Sequence, residues 1–543
     1  MKNQIIGIAV LSLGLLNTSC MDNFLDRNPY GSVDENTFFT KEEHADLAAM
    51  ACYAKLQKLN GHWADAQLEL GMTGDFSSGG FKDAQAFYSG SFNPNESNII
   101  KGIWTKAYQG IAVCNKNIEG VNQMSKDIIS EKVRNKHLAE MKFIRAFWYF
   151  RLIQFYGDVP LRAASVTDPT NDDQVKLGAT PKEDIIKNLI LPDLLFASEN
   201  LPQRAEWGDK FYNRATQAAA FAYLCEVYLY QKDYENAIKA GLEVEKAGYA
   251  LIDNPGNVLR VDYEGCSEII FSVGFGKGVE TYREFYFGSI EDLGKENGRL
   301  MRGDTYSGDY FYPSKEFVDF FQTIAGSPIA ADARHYDANQ PWKNRDPRFD
   351  ATFFTEMDEV ETTKGKIMNW DSQWLVNNTT GFDIQKRGVW YGEDMWNKHA
   401  DIHLMRLPRV FLHMAEAYAF KANPDFAKAE EYVEKVRSRA RNFALANKEK
   451  YVPAELDETG VLPKIKITSA KEAMEAINYE SRVEFFAEDC IRYFDLKRWG
   501  TLKEEWPRVG EFAWSDKLYN LPIPADELNA NDRLSQNHPE WGN

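Results

Sequence analysis

Two helical hairpins built to one plan constrain this chain more than any other feature. From Arg214, RATQAAAFAYLCEVYLYQ runs into Lys232-Asp233 and continues as YENAIKAGLEVEKAG to Gly248. From Arg409, RVFLHMAEAYAFK turns at Asn423-Pro424-Asp425 and continues as FAKAEEYVEKVRSRAR. Each first helix carries a tyrosine near its end (Tyr228, Tyr418). An aromatic follows the turn (Tyr234, Phe426), with an alanine three residues on (Ala237, Ala429). Apolar residues recur at helical spacing in both, and Ala219, Ala220 and Ala222 are small enough to let two helices approach closely.

Aromatic knobs set into alanine holes are the packing logic of tetratricopeptide hairpins. Further helices are expected over 42–59 (Ala48, Ala49, Cys52, Leu56) and 103–119 (Trp104, Tyr108, Ile111, Ala112, Asn115). HLAEMKFIRAFWYFRLIQFYG, from His137, is apolar nearly all round and predicts a buried helix ended by Gly157 and Pro160. A further pair is expected over 470–500. Trp104, Trp148 and Trp499 fall on helical faces and are assigned to the core. The expected fold is mainly α: a tetratricopeptide-like scaffold of helical pairs. It occupies 42–60, 101–160, 181–248, 404–442 and 470–500. Stretches 61–100, 249–403 and 443–469 are rich in Gly, Asp, Asn and aromatics and read as loop-rich insertions with short strands, such as the one at 268–273. Insertions of that length in a compact domain are where function is expected.

The formal charge of −18 argues against phosphate backbones and anionic headgroups as partners. Lys2, the apolar run Ile5–Leu16 and Asn17-Thr18-Ser19-Cys20 form a secretory signal too short to span a bilayer. A small residue before Cys20 resembles the bacterial lipobox, in which cleavage precedes the cysteine and the thiol is acylated. Asn17 departs from the usual leucine, so an ordinary secretory signal is the competing reading. Removing residues 1–19, with one lysine and no acid, takes the charge from −18 to −19. The other cysteines (Cys52, Cys114, Cys225, Cys266, Cys490) form no C-x-x-C pair, which argues against zinc and for buried small hydrophobes.

Catalytic patterns are missing: there is no G-x-S-x-G, no Walker loop and no H-E-x-x-H. His399 and His403 are spaced to share a metal on a helix, but two solvated imidazoles in a loop fit better without a third ligand. The Gly-rich 74–80 stretch lacks the Lys-Ser/Thr of a phosphate loop. A glycosidase pair cannot be nominated from carboxylate content, because only their separation in space is diagnostic. The chemistry that is present is aromatic. Rings offer flat apolar faces to the C–H faces of sugars, while nearby carboxylates and amides take the hydroxyls. Three clusters of this kind lie in the insertions: Asp75-Phe76 with Phe81, Phe87, Tyr88 and Phe92; Tyr306, Tyr310 and Tyr312 with Asp304 and Asp309; and Trp370 and Trp374 with Trp390, Tyr391 and Trp396.

Seven segments, in order from Cys20 to the C-terminus, resemble the SusD/RagB family of Bacteroidetes outer-membrane lipoproteins. They are CMDNFLD with Pro29, AEMKFIRAFWYFRLIQFYGDVPL from Ala139, YLYQKDYENAIKAG from Tyr228, RDPRF from Arg345, RLPRVFLHMAEAY from Arg406, ESRVEFFAEDCIRYFDLKRWG from Glu480, and LPIPADELNANDRLSQNHPEW from Leu521. Ser481 stands where arginine is common, and Asp489 where glycine is. Within these signatures Arg482, Glu484, Glu488, Arg492, Asp495 and Arg498 suit mutual pairing along a helix, and RDPRF reads as architectural.

The resemblance implies a signal peptide over 1–19, one domain over 20–543 with about four tetratricopeptide-like helical pairs bearing an irregular loop-rich half, and a lipid on Cys20 as the only membrane attachment. It implies a non-enzymatic receptor that captures oligosaccharide and delivers it to a SusC-like TonB-dependent transporter, acting as its lid. By position, the family's ligand loops coincide with the first two aromatic clusters. The residues expected at ligand are Asp75, Phe87, Tyr88, Tyr306, Tyr310, Trp370 and Trp374. No cofactor is expected; calcium is left open, with no residue pattern that supports it. The alternatives are a RagB-like peptide receptor, a surface glycoside hydrolase, or a tetratricopeptide adaptor that binds no glycan.

Overall fold

A computed structural model describes residues 38–57, 75–77, 86–93, 97–275, 290–292, 300–302, 312–355, 359–361, 367–369, 380–384, 386, 401–506 and 513–542. The scaffold helices are α1 (Glu43–Leu56), α2 (Asn98–Gln123), α3 (Glu131–Tyr156), α4 (Leu191–Asn200), α5 (Gln217–Tyr230) and α6 (Tyr234–Lys246). After the middle insertion, which carries the short helices α7 (Lys315–Phe320) and α8 (Arg348–Thr352), come α9 (Leu407–Phe420), α10 (Phe426–Ala446), α11 (Ala470–Glu484) and α12 (Ile491–Trp499). From α1 to α6 each helix packs on the next. α6 then packs on α9, α9 on α10 and α10 on α11. Serial stacking of neighbours is the mark of a helical-repeat scaffold.

Local chemistry accounts for the helix ends. Ser130 caps α3 by accepting from the Val133 amide, and Gly157, at φ 76°, stops it. Every residue of α3 from His137 to Tyr156 except Lys142 is buried. The two hairpin turns are built alike. Asp233 and Asp425 each donate a backbone N–H to the carbonyl of the preceding tyrosine, Tyr228 or Tyr418, at 2.9 Å. Each aspartate side chain then caps the next helix, accepting from the Asn236 amide or the Lys428 amide. Ala237 and Ala429 are fully buried, and Tyr418 stacks on Tyr432 with ring centroids 5.5 Å apart. Gly241 lets α6 approach α9: a Cβ there would lie 2.0 Å from Met414 Sδ.

Among the described residues, ten short strands form five antiparallel pairs. β1 (Phe76–Ser77) pairs with β5 (Tyr312–Pro313), and β2 (Ile269–Val273) with β10 (Ile402–Arg406). β3 (Ile290–Asp292) pairs with β4 (Leu300–Arg302), β6 (Phe353–Phe354) with β9 (Asp383–Ile384), and β7 (Glu359–Glu361) with β8 (Ile367–Asn369). A second core of aromatic rings, separate from the helical one, fills the middle insertion. Phe317 stacks on Phe486 at 4.2 Å, and Phe321, Phe349, Phe353 and Phe382 close round them. His403 lies buried on β10, so it is neither a helical metal ligand nor a solvated loop imidazole; His399 falls outside the described residues.

Candidate functional site

The β1–β5 pair joins the two insertions expected to hold ligand. Phe76 lies opposite Pro313 and Ser77 opposite Tyr312, and the Ser314 amide donates to the Asp75 carbonyl at 2.8 Å. Ser314 then caps α7 by accepting from the Phe317 amide. Arg482 of α11 lies at this junction. Its Nε donates to Asp75 Oδ1 at 3.0 Å, its Nη1 to Glu316 Oε1 at 3.0 Å, and its guanidinium lies 4.3 Å from the centre of the Phe320 ring.

Two expected ligand residues are therefore core residues. Asp75 is 2% exposed, with its carboxylate on Arg482; a sugar hydroxyl cannot reach it without breaking that pair. Phe87 is 1% exposed and packs on Phe92, which packs in turn on Trp541. Of the expected residues that are described, Tyr88 alone keeps partial exposure; its carbonyl accepts from Trp506 Nε1 at 3.3 Å. Cys20, Tyr306, Tyr310, Trp370 and Trp374 lie outside the described residues.

Beneath the junction runs a buried ionic hub that sequence reasoning resolved only in part. Arg348 pairs with Asp346 (2.7 Å) and Glu480 (2.6 Å), and Arg437 with Glu480 (2.8 Å). Arg406 pairs with Glu268, with Glu484 (3.1 Å) and with Glu488 (2.8 Å). Arg439 pairs with Glu268 (3.1 Å) and Glu484, and Lys386 with Glu488 (2.6 Å). Five cations thus meet five carboxylates, which is how such charges tolerate burial. Burial alone would raise the Glu484 carboxyl. The guanidiniums of Arg439, Arg406 and Arg348 outweigh it and hold the group well below the usual carboxylate range. Glu488 is lowered in the same way, against burial, by Arg406 and Lys386.

The expectation of a scaffold network holds, but its geometry differs from pairing along one helix. Only Asp495–Arg498, at 3.2 Å, is a near neighbour in sequence. Arg482 pairs with Asp75 and Glu316, Arg492 with Glu505, and Arg498 with Glu416. Left-handed residues Ala487, Asp489 and Cys490 break the segment between α11 and α12 and turn its charges toward other elements. RDPRF is architectural as expected: Arg345 donates to the carbonyls of Val318 and Phe321, and Arg348 belongs to the hub.

Asp46, His137 and Glu140 come together with ligand atoms within 4.8 Å of one another. Arg214 already supplies the positive charge there, 2.6 Å from Asp46 and 3.0 Å from Glu140. A small cleft between α3, α5 and α9, lined by Arg151, Gln154, Glu226, Arg409 and Asp489, has about 20 Å³ free, room for a water but not a sugar ring.

A stacked helical-pair scaffold carrying an ion-stapled, loop-rich half defines the class of protein. Comparison with known proteins agrees with it. The family described as "SusD family" matches residues 267–541, and the one described as "Starch-binding associating with outer membrane" matches residues 23–229. The chain belongs to the SusD family. It is 25% identical to a SusD-like protein of Formosa agariphila over 95% of both chains. Among solved structures, a SusD-like protein from Bacteroides fragilis superposes with a TM-score of 0.75 at 22% identity, covering 94% of this chain and all of that one. A "Laminarin binding SusD-like protein" gives a TM-score of 0.68 at 22% identity, covering 92% of this chain and all of that one.

Proposed function

We propose that this chain is a non-enzymatic glycan receptor of the outer membrane, tethered through an acylated Cys20. It captures oligosaccharide on its insertions and passes it to a SusC-like TonB-dependent transporter, for which it serves as the lid. The observation that carries the reading is the β1–β5 pairing, which brings the first and middle insertions together over a rigid buried hub. A binding surface made of loops needs such a base to hold rings and polar groups in register. Family membership and a structural neighbour named for laminarin binding support a carbohydrate as the ligand. The family description "associating with outer membrane" supports the location. Capture by ring stacking and polar contacts needs no covalent step.

A glycan array on the lipid-free protein tests this, followed by calorimetry with oligosaccharides and peptides in parallel. Saturable oligosaccharide binding without release of reducing ends is the expected result. Binding of peptides alone, or sustained release of reducing ends, would overturn it.

A further inference from the structure

We propose that the cleft between α3, α5 and α9 is a binding site for one structural water, which ties the first hairpin to the left-handed turn before α12. Five elements meet there. Arg151 and Gln154 of α3, Tyr223 and Glu226 of α5 and Arg409 of α9 line the cleft, and Leu404 of β10 and Asp489 of the turn complete its wall. The free space of about 20 Å³ is enough to seat one water.

Charge and hydrogen-bonding capacity select the guest. Two cations, Arg151 and Arg409, face two carboxylates, Asp489 and Glu226, so an ion of either sign would upset a balanced set of buried charges. Arg409 Nη2 donates to Glu226 Oε1 at 2.7 Å. Arg151 Nη1 donates to Asp489 Oδ2 at 3.0 Å, and its Nη2 to Oδ1. An ionised carboxylate accepts about four hydrogen bonds, so both keep lone pairs for a further donor. The Tyr223 hydroxyl is the group in need of a partner: among the described residues it has none in the protein, although Tyr223 is only 5% exposed. Its ring cannot turn away, because Phe143, Phe147 and Phe271 hold it edge-on at 5.5, 5.8 and 6.4 Å. Arg151 Nε, buried at the same cleft, is likewise without an acceptor. The site thus offers donors lacking an acceptor beside carboxylates with acceptance to spare, and water is the neutral guest that serves both. It accepts from the Tyr223 hydroxyl and donates to Glu226, one turn along the same helix, and to Asp489 across the cleft. Three hydrogen bonds are the usual number for a buried water.

The test pairs a crystal structure of the lipid-free protein with the variant Tyr223→Phe, which keeps the ring contacts and removes only the hydroxyl. At a resolution that shows ordered waters, one peak is expected at about 2.7–3.2 Å from Tyr223 Oη and from carboxylate oxygens of Glu226 and Asp489. Chemical denaturation of the variant supplies a sign. If a water partners the hydroxyl, Tyr223→Phe removes a hydrogen bond that is made, and the folding constant should fall about twofold to tenfold. If the cleft is dry, the same change relieves a buried hydroxyl of its unmet need, and the folding constant should hold or rise. A map with nothing in the cleft, a metal or halide there, or a folding constant that holds or rises overturns the proposal. Should Tyr223→Phe fail to fold, the wild-type map decides alone. The site takes no glycan, so failure here leaves the receptor reading intact.

Discussion

Replacing Arg406 with alanine removes the cation on which three carboxylates of the hub converge. Arg406 is 2% exposed, and it holds Glu268 from β2's approach, Glu484 from α11 and Glu488 from the turn beyond it. Without it, five buried carboxylates face four cations. Breaking a buried pair by deleting one partner costs about 3–5 kcal/mol, because the other charge is left uncompensated. Unfolding entropy is about 2.1 cal/mol/K per residue. Over 543 residues that is about 1.1 kcal/mol/K, so Tm should fall by about 3–4 °C if the chain melts as one unit. Differential scanning calorimetry at pH 7 reads this directly.

Acid should then shrink the difference. In the wild type Glu484 and Glu488 are held below their ordinary values. Their contribution is complete above the unfolded-state value of about 4.3 and is lost only as pH falls through the lowered folded value. In the variant, burial is opposed by one guanidinium fewer. The carboxyls take up protons more readily folded than unfolded, and the folded state gains as pH falls from 7 toward 5. A Tm within 1 °C of wild type at pH 7, or a gap that widens with acid over that range, would refute the reasoning.

Gly241→Ala should destabilise by about 1–3 kcal/mol, since the added Cβ meets Met414 Sδ. Chemical denaturation reads that loss, and glycan affinity should be unchanged. Phe87→Ala should cost about 3–5 kcal/mol of stability as a core truncation. Tyr310→Ala or Trp374→Ala should leave the unfolding midpoint where it is and weaken oligosaccharide binding about fivefold to thirtyfold by calorimetry. The reverse pattern would exchange the roles assigned to these residues.

Features whose causes are local were legible in the sequence. Helix α3, the aspartate-capped turns at Asp233 and Asp425, and the strand after Glu268 all follow from residue order over one or two turns. The ionic signature was legible as scaffold but not as geometry. Regular helical spacing was assumed across a segment that the left-handed residues at 487, 489 and 490 interrupt. The candidate site was read at the level of insertions, which the β1–β5 pair joins, and not at the level of side chains. Asp75 and Phe87 have the composition of a sugar site, yet one is consumed by Arg482 and the other by a ring cluster.

By itself the sequence determined the helical-pair scaffold, its alanine-lined contacts and the family to which the chain belongs, because these depend on periodicities a few residues long. Tertiary structure alone decided which carboxylate meets which guanidinium, and that Asp75 and Phe87 are core. Those outcomes join residues tens to hundreds of positions apart, and burial is a property of the assembled neighbours, which no single residue type encodes.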